Sequence, residues 1–162
     1  MNRRRFLCGA AALSLFPLVW RNTLAGGQQL TGAVKKIHKS EDEWRALLTE
    51  EEFYVLREGG TEPAGSSPLD HEIRTGTYVC AGCALPLFKS DWKYNSGTGW
   101  PSFYTAMQGH VETRLDYSTF WPSTEYHCAR CGGHQGHVFD DGPQPTGQRW
   151  CNNGVALDFI PI

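Results

Sequence analysis

Two Cys-x-x-Cys pairs, Cys80/Cys83 and Cys128/Cys131, constrain this chain more than any other feature of its sequence. Four thiolates can close a tetrahedral zinc site, and small residues within or after each pair suit tight metal-binding turns. Because the 44 residues 84–127 separate the pairs, the site would connect two distant hairpins instead of forming a small finger. We therefore expect one structural Zn²⁺ per chain, closed by sulfur and without an open position for substrate.

Two other interpretations of these cysteines stay open at the level of the sequence. They could form two disulfides, or one pair could be a thioredoxin-like redox motif, if the protein is exported. A redox Cys-x-x-Cys opens a helix within a βαβ unit, and neither pair here lies in such a context. The zinc interpretation is therefore preferred.

The first 25 residues have the features of a removable export signal. Arginines at positions 3–5 precede an apolar stretch from Gly9 to Trp20, and Thr23-Leu24-Ala25 offers small residues for cleavage. The stretch is short for a membrane span, and the consecutive arginines resemble a twin-arginine signal. We expect export to the periplasm, with a Sec signal or an uncleaved N-terminal anchor as the alternatives.

Charge argues against a nucleic-acid partner. Residues 1–25 contain four of the 15 basic residues and none of the 17 acidic ones, so the remainder carries 11 basic against 17 acidic residues. Its lysines and arginines are spread without a cluster, whereas binding to phosphate needs a basic surface. We expect a flexible lead-in at residues 26–39, followed by one domain at residues 40–162 that acts as a monomer.

The domain begins with two helix signals and continues as β structure. Capping boxes at residues 40–43 and 49–52 predict one helix over residues 41–48 and another that ends at Gly59-Gly60. From Gly76 onward, short aromatic and β-branched runs alternate with turn residues, which indicates a mainly β domain with antiparallel strands. The apolar residues expected to pack the helices onto the rest are Trp44, Leu47, Phe53 and Leu56. The predicted strands are Thr77–Cys80, Ser102–Ala106, Val111–Asp116, Glu125–Cys128, Gly136–Phe139, Gln148–Asn152 and Val155–Ile160.

A second constellation flanks a loop rich in Gly and Pro at residues 141–147. The segments on either side should pair as an antiparallel hairpin, and pairing that starts next to the loop places His137 opposite Cys151. Strand periodicity then puts Arg149 and Asn153 on the same face. The hairpin would present a thiol, an imidazole, a guanidinium and an amide together. Arg149 and a protonated imidazole would favour the reactive thiolate.

Taken singly, Cys151 could be an inert buried thiol, and the histidines could be satisfied polar side chains near the zinc, since free cysteine is among the most buried residue types. Their convergence on one face favours a catalytic site instead. Cys151 is also the sulfur left over once the two pairs hold a metal and Cys8 leaves with the leader. We therefore expect Cys151 to act as a nucleophile.

Several ordered motifs lie at compatible spacings along the chain. They are Cys80-Ala-Gly-Cys83, Gly99-Trp100-Pro101-Ser102-Phe103, the run from Cys128 to Pro143, and Arg149-Trp150-Cys151-Asn152-Asn153. Together they make the chain resemble the B-type methionine sulfoxide reductases, which are selective for the R sulfoxide. The resemblance implies two antiparallel β-sheets with a few short N-terminal helices, held together by a structural zinc. It also implies an enzyme that reduces methionine-R-sulfoxide, in oxidised proteins or as the free amino acid, to methionine.

By motif position, the resemblance implies that Cys151 attacks the sulfoxide sulfur, with His134, His137 and Asn153 around the sulfoxide oxygen. This oxygen is a poor leaving group until it is protonated, so the thiolate needs an adjacent acid and preorganised donors. Histidine supplies such an acid near neutral pH. The products would be methionine and a sulfenic acid on Cys151.

Three further residues take roles from the resemblance. Asp141 and Arg149 would order the network, and Trp100 would offer its indole face to the S-methyl group of the substrate. Thr98 departs from the family pattern, since many members carry there the cysteine that resolves the sulfenic acid as a disulfide. Threonine cannot do so, and we expect an external reductant, either a thioredoxin-like dithiol or a small thiol.

Two rival functions stay open at this level. The chain could be a non-catalytic β module stapled by zinc that binds a protein partner, with Cys151 incidental. It could also be a zinc hydrolase of the cytidine-deaminase type, which would need an open metal site and a His-x-Glu signature that the sequence lacks.

Overall fold

The computed structural model describes residues 34–117 and 122–162. Residues 1–25, for which the sequence predicts an export signal, and residues 26–33 of the lead-in lie outside the described residues. Within the described part of the chain, none of the helices has the length and apolar character that a membrane span requires.

Both predicted helices form at their capping boxes. Helix α1 is Glu41–Arg45 and helix α2 is Glu50–Glu58; each box is closed by a hydroxyl cap and a returning glutamate. The predicted extension of α1 to residue 48 is wrong, because residues 46–48 form the turn that brings extended Thr49 into place as the cap of α2. Helix α2 ends as predicted at Gly59, whose φ of 73° suits glycine.

The apolar face of the helices is largely as predicted. Trp44, Phe53 and Leu56 are buried. Leu47 is 61% exposed, so its predicted packing is wrong: it lies in the turn after α1 and not on a helical face. Val55 of α2 joins the core instead.

The described residues form two antiparallel sheets. The three-stranded sheet has the order β2-β1-β9, and the six-stranded sheet has the order β3-β4-β8-β7-β6-β5. This confirms the predicted mainly β fold. The strands are β1 Gly76–Cys80, β2 Pro86–Lys89, β3 Lys93–Tyr94, β4 Ser102–Phe103, β5 Val111–Asp116, β6 Ser123–Cys128, β7 His134–Phe139, β8 Arg149–Asn152 and β9 Leu157–Pro161.

The largest differences from the predicted strands lie at short or edge segments, while the interior strands β6 and β7 each begin two residues earlier than predicted. Strands β2 and β3 were not predicted; each lies at the edge of its sheet and spans four and two residues respectively. Strand β4 has only two residues of the five predicted. Strand β9 begins at Leu157 because Gly154–Ala156 forms a 3-10 turn.

Aromatic side chains join the two sheets. Phe88 of β2 stacks on Phe103 of β4 with ring centroids 4.1 Å apart, and Tyr78 of β1 packs edge-on against Phe103 at 4.9 Å. All three rings are fully buried. Strand β4, and β8 beside it, therefore rest on a fixed core, which is what a preorganised site requires.

Candidate functional site

The hairpin of β7 and β8 has the predicted register. His137 lies opposite Cys151, and Phe139 lies opposite Arg149. On its other edge, β8 pairs with β4, so that Cys151 also lies opposite Ser102. Gly136 permits this close pairing, because a Cβ there would come within 2.0 Å of the Cys151 carbonyl oxygen. The site is thus built across three adjacent strands of the six-stranded sheet.

A small cavity of about 150 Å³ opens beside Cys151. Trp100 forms one of its walls, and His137 and Phe139 reach it from β7. The lining is more apolar than polar in character, which suits a thioether or methyl group. The residues that line it are Thr61, Trp100, Gly136, His137, Phe139, Cys151, Asn152 and Asn153.

Two influences compete at the Cys151 sulfur. Burial raises the pKa of the Cys151 thiol above its ordinary value. The charge of Arg149 and hydrogen bonds from the Thr98 and Ser102 hydroxyls act in the opposite direction. Arg149 therefore favours the thiolate as the sequence predicts, but burial outweighs this effect on the pKa of Cys151.

Arg149 is held by two partners. Its guanidinium donates to both carboxylate oxygens of Asp141, with Nε–Oδ1 2.8 Å and Nη2–Oδ2 2.9 Å, and it lies 4.2 Å from the ring centroid of Phe139. The hydrogen bonds from Arg149 lower the pKa of Asp141. This two-point contact fixes the guanidinium beside the cavity, although Asp141 itself is exposed to solvent.

The two candidate histidines differ in whether they line the cavity. His137 lines the cavity, and its Nε2 lies 3.4 Å from Asp116 Oδ2. His134 does not line the cavity; its Nδ1 is 2.5 Å from Glu125 Oε1, and its Nε2 is 3.5 Å from Asn153 Nδ2. Burial lowers the pKa of His134, and Glu125 opposes this. In this geometry only His137 reaches the cavity directly, while His134 reaches it through Asn153.

Asn153 and Trp100 are both anchored by Glu62, for which the sequence predicts no role. The backbone N–H of Glu62 donates to Asn153 Oδ1 at 3.0 Å, and its carbonyl accepts from the indole N–H of Trp100 at 3.1 Å. Its carboxylate accepts from the backbone N–H groups of Gly154 and Val155. One residue therefore ties together both walls of the cavity and the turn after β8.

The second candidate centre contains Cys80, Cys83, Cys128 and Cys131. Their four sulfur atoms lie within 4.8 Å of one another, and the group could hold a metal ion. The contacts that cross between the two pairs are 3.6 Å for Cys80–Cys131 and 3.4 Å for Cys83–Cys128. All five cysteines of the described residues are free, so the disulfide interpretation is not supported.

Neighbouring groups complete the four-cysteine centre. The Gln135 side chain donates to Cys80 Sγ at 3.4 Å. Arg57 of helix α2 donates to the Cys131 carbonyl, which joins this helix to the second Cys-x-x-Cys turn. Arg130 in that turn donates to the Cys83 carbonyl, which joins the two Cys-x-x-Cys turns to each other. Such outer contacts fix the orientation of metal ligands.

Comparisons with known proteins agree with this architecture. The chain matches the family model of the SelR domain over residues 48–161. It is similar to peptide methionine sulfoxide reductase MsrB of Methanosarcina mazei, with 50% identity over 128 residues that cover 78% of this chain and 91% of that protein. Proteins of the same name from Bradyrhizobium diazoefficiens and Pseudomonas putida are 50% and 49% identical, covering 78% and 79% of this chain and 91% and 97% of theirs.

One solved structure shows a weaker likeness. The Mis18 "Yippee-like" domain is 14% identical with a TM-score of 0.44, covering 55% of this chain and 98% of that domain. A likeness at this level carries no argument about function.

Proposed function

The chain belongs to the SelR-domain family, the B-type methionine sulfoxide reductases, and on that premise we propose that it reduces methionine-R-sulfoxide to methionine through a sulfenic acid on Cys151. The observation that carries the proposal is the pairing of Cys151 with His137 across one hairpin, on the wall of a cavity that Trp100 closes. Oxidised proteins are the proposed substrate, and free methionine sulfoxide is included.

The first half-reaction transfers one oxygen atom. The Cys151 sulfur attacks the sulfoxide sulfur, the substrate's S–O bond breaks, and a new S–O bond forms on Cys151. The thiol hydrogen ends on the sulfenic oxygen, so the Cys151 sulfur loses the two electrons that the substrate sulfur gains. His137 is the proposed acid, because it lines the cavity opposite the attacking sulfur.

Trp100 supplies a wall for the S-methyl group. Its indole N–H donates to the Glu62 carbonyl at 3.1 Å, which orients the ring along the cavity. An apolar wall on one side and polar groups on the other distinguish the two epimers of a sulfoxide, since only one epimer can direct its oxygen at the polar side. This asymmetry supports selectivity for one epimer, and the family to which the chain belongs indicates the R epimer.

The second half-reaction needs an external thiol. The other four cysteines of the described residues belong to the four-cysteine centre, and position 98 holds threonine. Two thiols of a thioredoxin-like reductant would convert the Cys151 sulfenic acid into thiol, releasing one water and leaving the reductant as a disulfide. The same balance holds for two molecules of a small thiol.

The four-cysteine centre is the proposed site of a structural Zn²⁺. Tetrahedral zinc with Zn–S bonds of about 2.3 Å separates its sulfurs by about 3.8 Å. The 3.4 and 3.6 Å contacts between sulfurs are close to that separation, and four thiolates leave no ligand position open for substrate. When bound, the metal would stabilise the fold by tying the turn after β1 to the turn after β6.

Residues 1–25 are proposed to be a twin-arginine-like signal that takes the folded domain, residues 40–162, to the periplasm. Support comes from the charge and hydropathy of the segment alone. Cell fractionation with sequencing of the mature N-terminus tests this; a cytoplasmic protein that retains residues 1–25 would contradict it.

The reductase proposal is tested with the two epimers of methionine sulfoxide assayed separately, with dithiothreitol as reductant. The intact chain should turn over the R epimer, and Cys151→Ser should lower that activity by roughly 10³-fold or more, because the nucleophile is lost. R-epimer turnover that survives in Cys151→Ser would overturn the mechanism. Absence of turnover in both proteins would favour the non-catalytic β module.

A further inference from the structure

Two histidines and one glutamate meet on one face of the six-stranded sheet. Glu125 and His127 lie two residues apart on β6, so their side chains share a face. A register shift between Tyr126 and His127 places His134 of β7 opposite His127, and opposite residues also share a face. One ligand atom from each of the three side chains lies within 4.8 Å of the other two, a spacing that could hold a metal ion.

Both imidazoles approach the same carboxylate oxygen. His134 Nδ1 lies 2.5 Å and His127 Nε2 lies 3.1 Å from Glu125 Oε1. Ligand atoms around a tetrahedral ion with bonds of about 2.1 Å lie about 3.4 Å apart, so the two pairs would open by about 0.9 and about 0.3 Å. The three groups are therefore close to the geometry that a metal ion requires.

One of the three ligand atoms lacks a hydrogen bond. His127 Nε2 is buried and has no hydrogen-bond partner in the described part of the chain, although it lies near Glu125. Its other ring nitrogen, Nδ1, lies 3.3 Å from the Gly132 carbonyl oxygen, which can only accept a proton. The proton of a neutral His127 therefore belongs on Nδ1, and the Nε2 lone pair faces the carboxylate oxygen. A cation between the two atoms would remove this conflict.

Burial and charge also favour a cation at this place. The side chains of Glu125, His127 and His134 are 7%, 13% and 4% exposed, so water screens a carboxylate–cation attraction there less than at the surface. Arg114 donates to Glu125 Oε2 at 2.7 Å and leaves Oε1 to the two imidazoles. The Arg114 side chain is 66% exposed, so solvent screens its repulsion of a bound cation.

We propose that Glu125, His127 and His134 form a second metal site, distinct from the four-cysteine centre, that takes a divalent transition metal ion. Two imidazoles and one carboxylate suit ions such as Zn²⁺ and Ni²⁺, whereas Ca²⁺ and Mg²⁺ prefer oxygen ligands throughout. Three protein ligands leave the rest of the coordination sphere to water.

Metal at this site acts on the cavity beside Cys151 through His134. The ionised Glu125 carboxylate accepts from His134 Nδ1–H, so a neutral His134 turns an Nε2 lone pair toward Asn153 Nδ2 at 3.5 Å. A nitrogen that binds metal carries no hydrogen, so the ring proton moves from Nδ1 to Nε2 when the ion binds. Nε2–H and the Asn153 amide N–H are then two donors that face each other.

The Asn153 amide is held against turning over to resolve this clash. Its Oδ1 accepts from the Glu62 backbone N–H at 3.0 Å, and its Nδ2 donates to the Gln135 carbonyl at 3.1 Å. The contact between His134 and Asn153 is therefore lost when metal binds, and the reductase is inhibited. This inhibition rests on the proposed function, whereas the metal binding itself does not.

Binding is tested by titration calorimetry with Ni²⁺ on the full chain, with zinc added beforehand to fill the four-cysteine centre. The parent and Cys151→Ser should each bind one equivalent, which excludes the Cys151 thiol as a ligand. His127→Gln should weaken binding by roughly 100-fold, the upper end of what the loss of an outer partner of a metal ligand costs. His71→Gln removes an exposed imidazole and is the matched control with the affinity of the parent.

A second measurement needs no substitution, because His127 is adjacent to Cys128 and its replacement could disturb the four-cysteine centre. Paramagnetic Ni²⁺, added below one equivalent to the parent, should broaden the NMR signals of the His127 and His134 rings before those of His71 and His110. Binding that His127→Gln leaves unchanged, binding that Cys151→Ser abolishes, or broadening limited to His71 and His110 would overturn the proposed site.

Inhibition is measured in a single turnover of the R epimer without reductant, because dithiothreitol would chelate Ni²⁺. Bound Ni²⁺ should slow methionine formation in the parent by roughly 10-fold, a typical coupling between two sites, and should have no effect in His127→Gln. An equal rate in the parent with and without bound Ni²⁺ would contradict the inhibitory role. Absence of turnover in metal-free buffer would instead contradict the proposed function, and the calorimetry would still decide the metal site.

Discussion

Cysteine sulfur occupies two contrasting environments in this molecule. In the four-cysteine centre, sulfurs lie 3.4 and 3.6 Å apart, and the main additional donor to sulfur is the Gln135 amide. At Cys151, a single sulfur lies among hydroxyls and a guanidinium and opens onto a cavity. Because Cys83 and Cys151 are both half-buried, the comparison teaches that the groups around a sulfur, more than its burial, distinguish the proposed structural role from the proposed reactive one.

The electrostatics of the two regions follow from this difference. Four thiolates in one place repel each other and need a cation, which removes them from nucleophilic chemistry. Burial raises the pKa of the Cys151 thiol, while the charge of Arg149 favours its ionisation. On the proposed function, one reactive sulfur therefore coexists with four others that a metal would occupy.

The largest expected effect comes from opening the four-cysteine centre. Cys128→Ser should release the metal and lower the free energy of unfolding by on the order of 5 kcal/mol, because metal binding is coupled to folding. Atomic absorption measures the metal content, and urea unfolding measures the free energy of unfolding. Cys151→Ser is the matched control and should keep both at the parent values. A Cys128→Ser protein with full metal content and unchanged stability would contradict the structural role.

A smaller effect is expected from the imidazole opposite Cys151. His137→Gln should lower kcat by roughly 10²-fold, the size of a lost general acid, with little change in metal content. His134→Gln is the comparison variant and should cost less, because His134 reaches the cavity only through Asn153. Steady-state kinetics with the R epimer measure which of the two variants loses more of its kcat. A larger loss in His134→Gln than in His137→Gln would contradict the assignment of the acid.

The sequence predicts the parts of the site that depend on local rules. The loop at residues 141–147 sets the hairpin register, and with it the pairing of His137 with Cys151. The capping boxes locate both helices. The resemblance of the motifs supplies the family, which the SelR-domain match bears out.

The parts that sequence reasoning missed depend on contacts between distant segments. Glu62 anchors Asn153 from 91 positions away, and no periodicity or turn signal announces such a bond. Glu125 meets His134 only because β6 pairs with β7. The edge strands β2 and β3 are too short for a pattern to emerge. Burial of Cys151, which reverses the expected direction of its pKa, likewise follows from packing of the whole sheet.

The contrast between the two kinds of sulfur is tested most directly by mass spectrometry of the intact protein after a single turnover of the R epimer without reductant. The account predicts one added oxygen atom, located on Cys151, and a metal content that does not change. An internal disulfide, or release of metal with oxidation of Cys80, Cys83, Cys128 or Cys131, would contradict it.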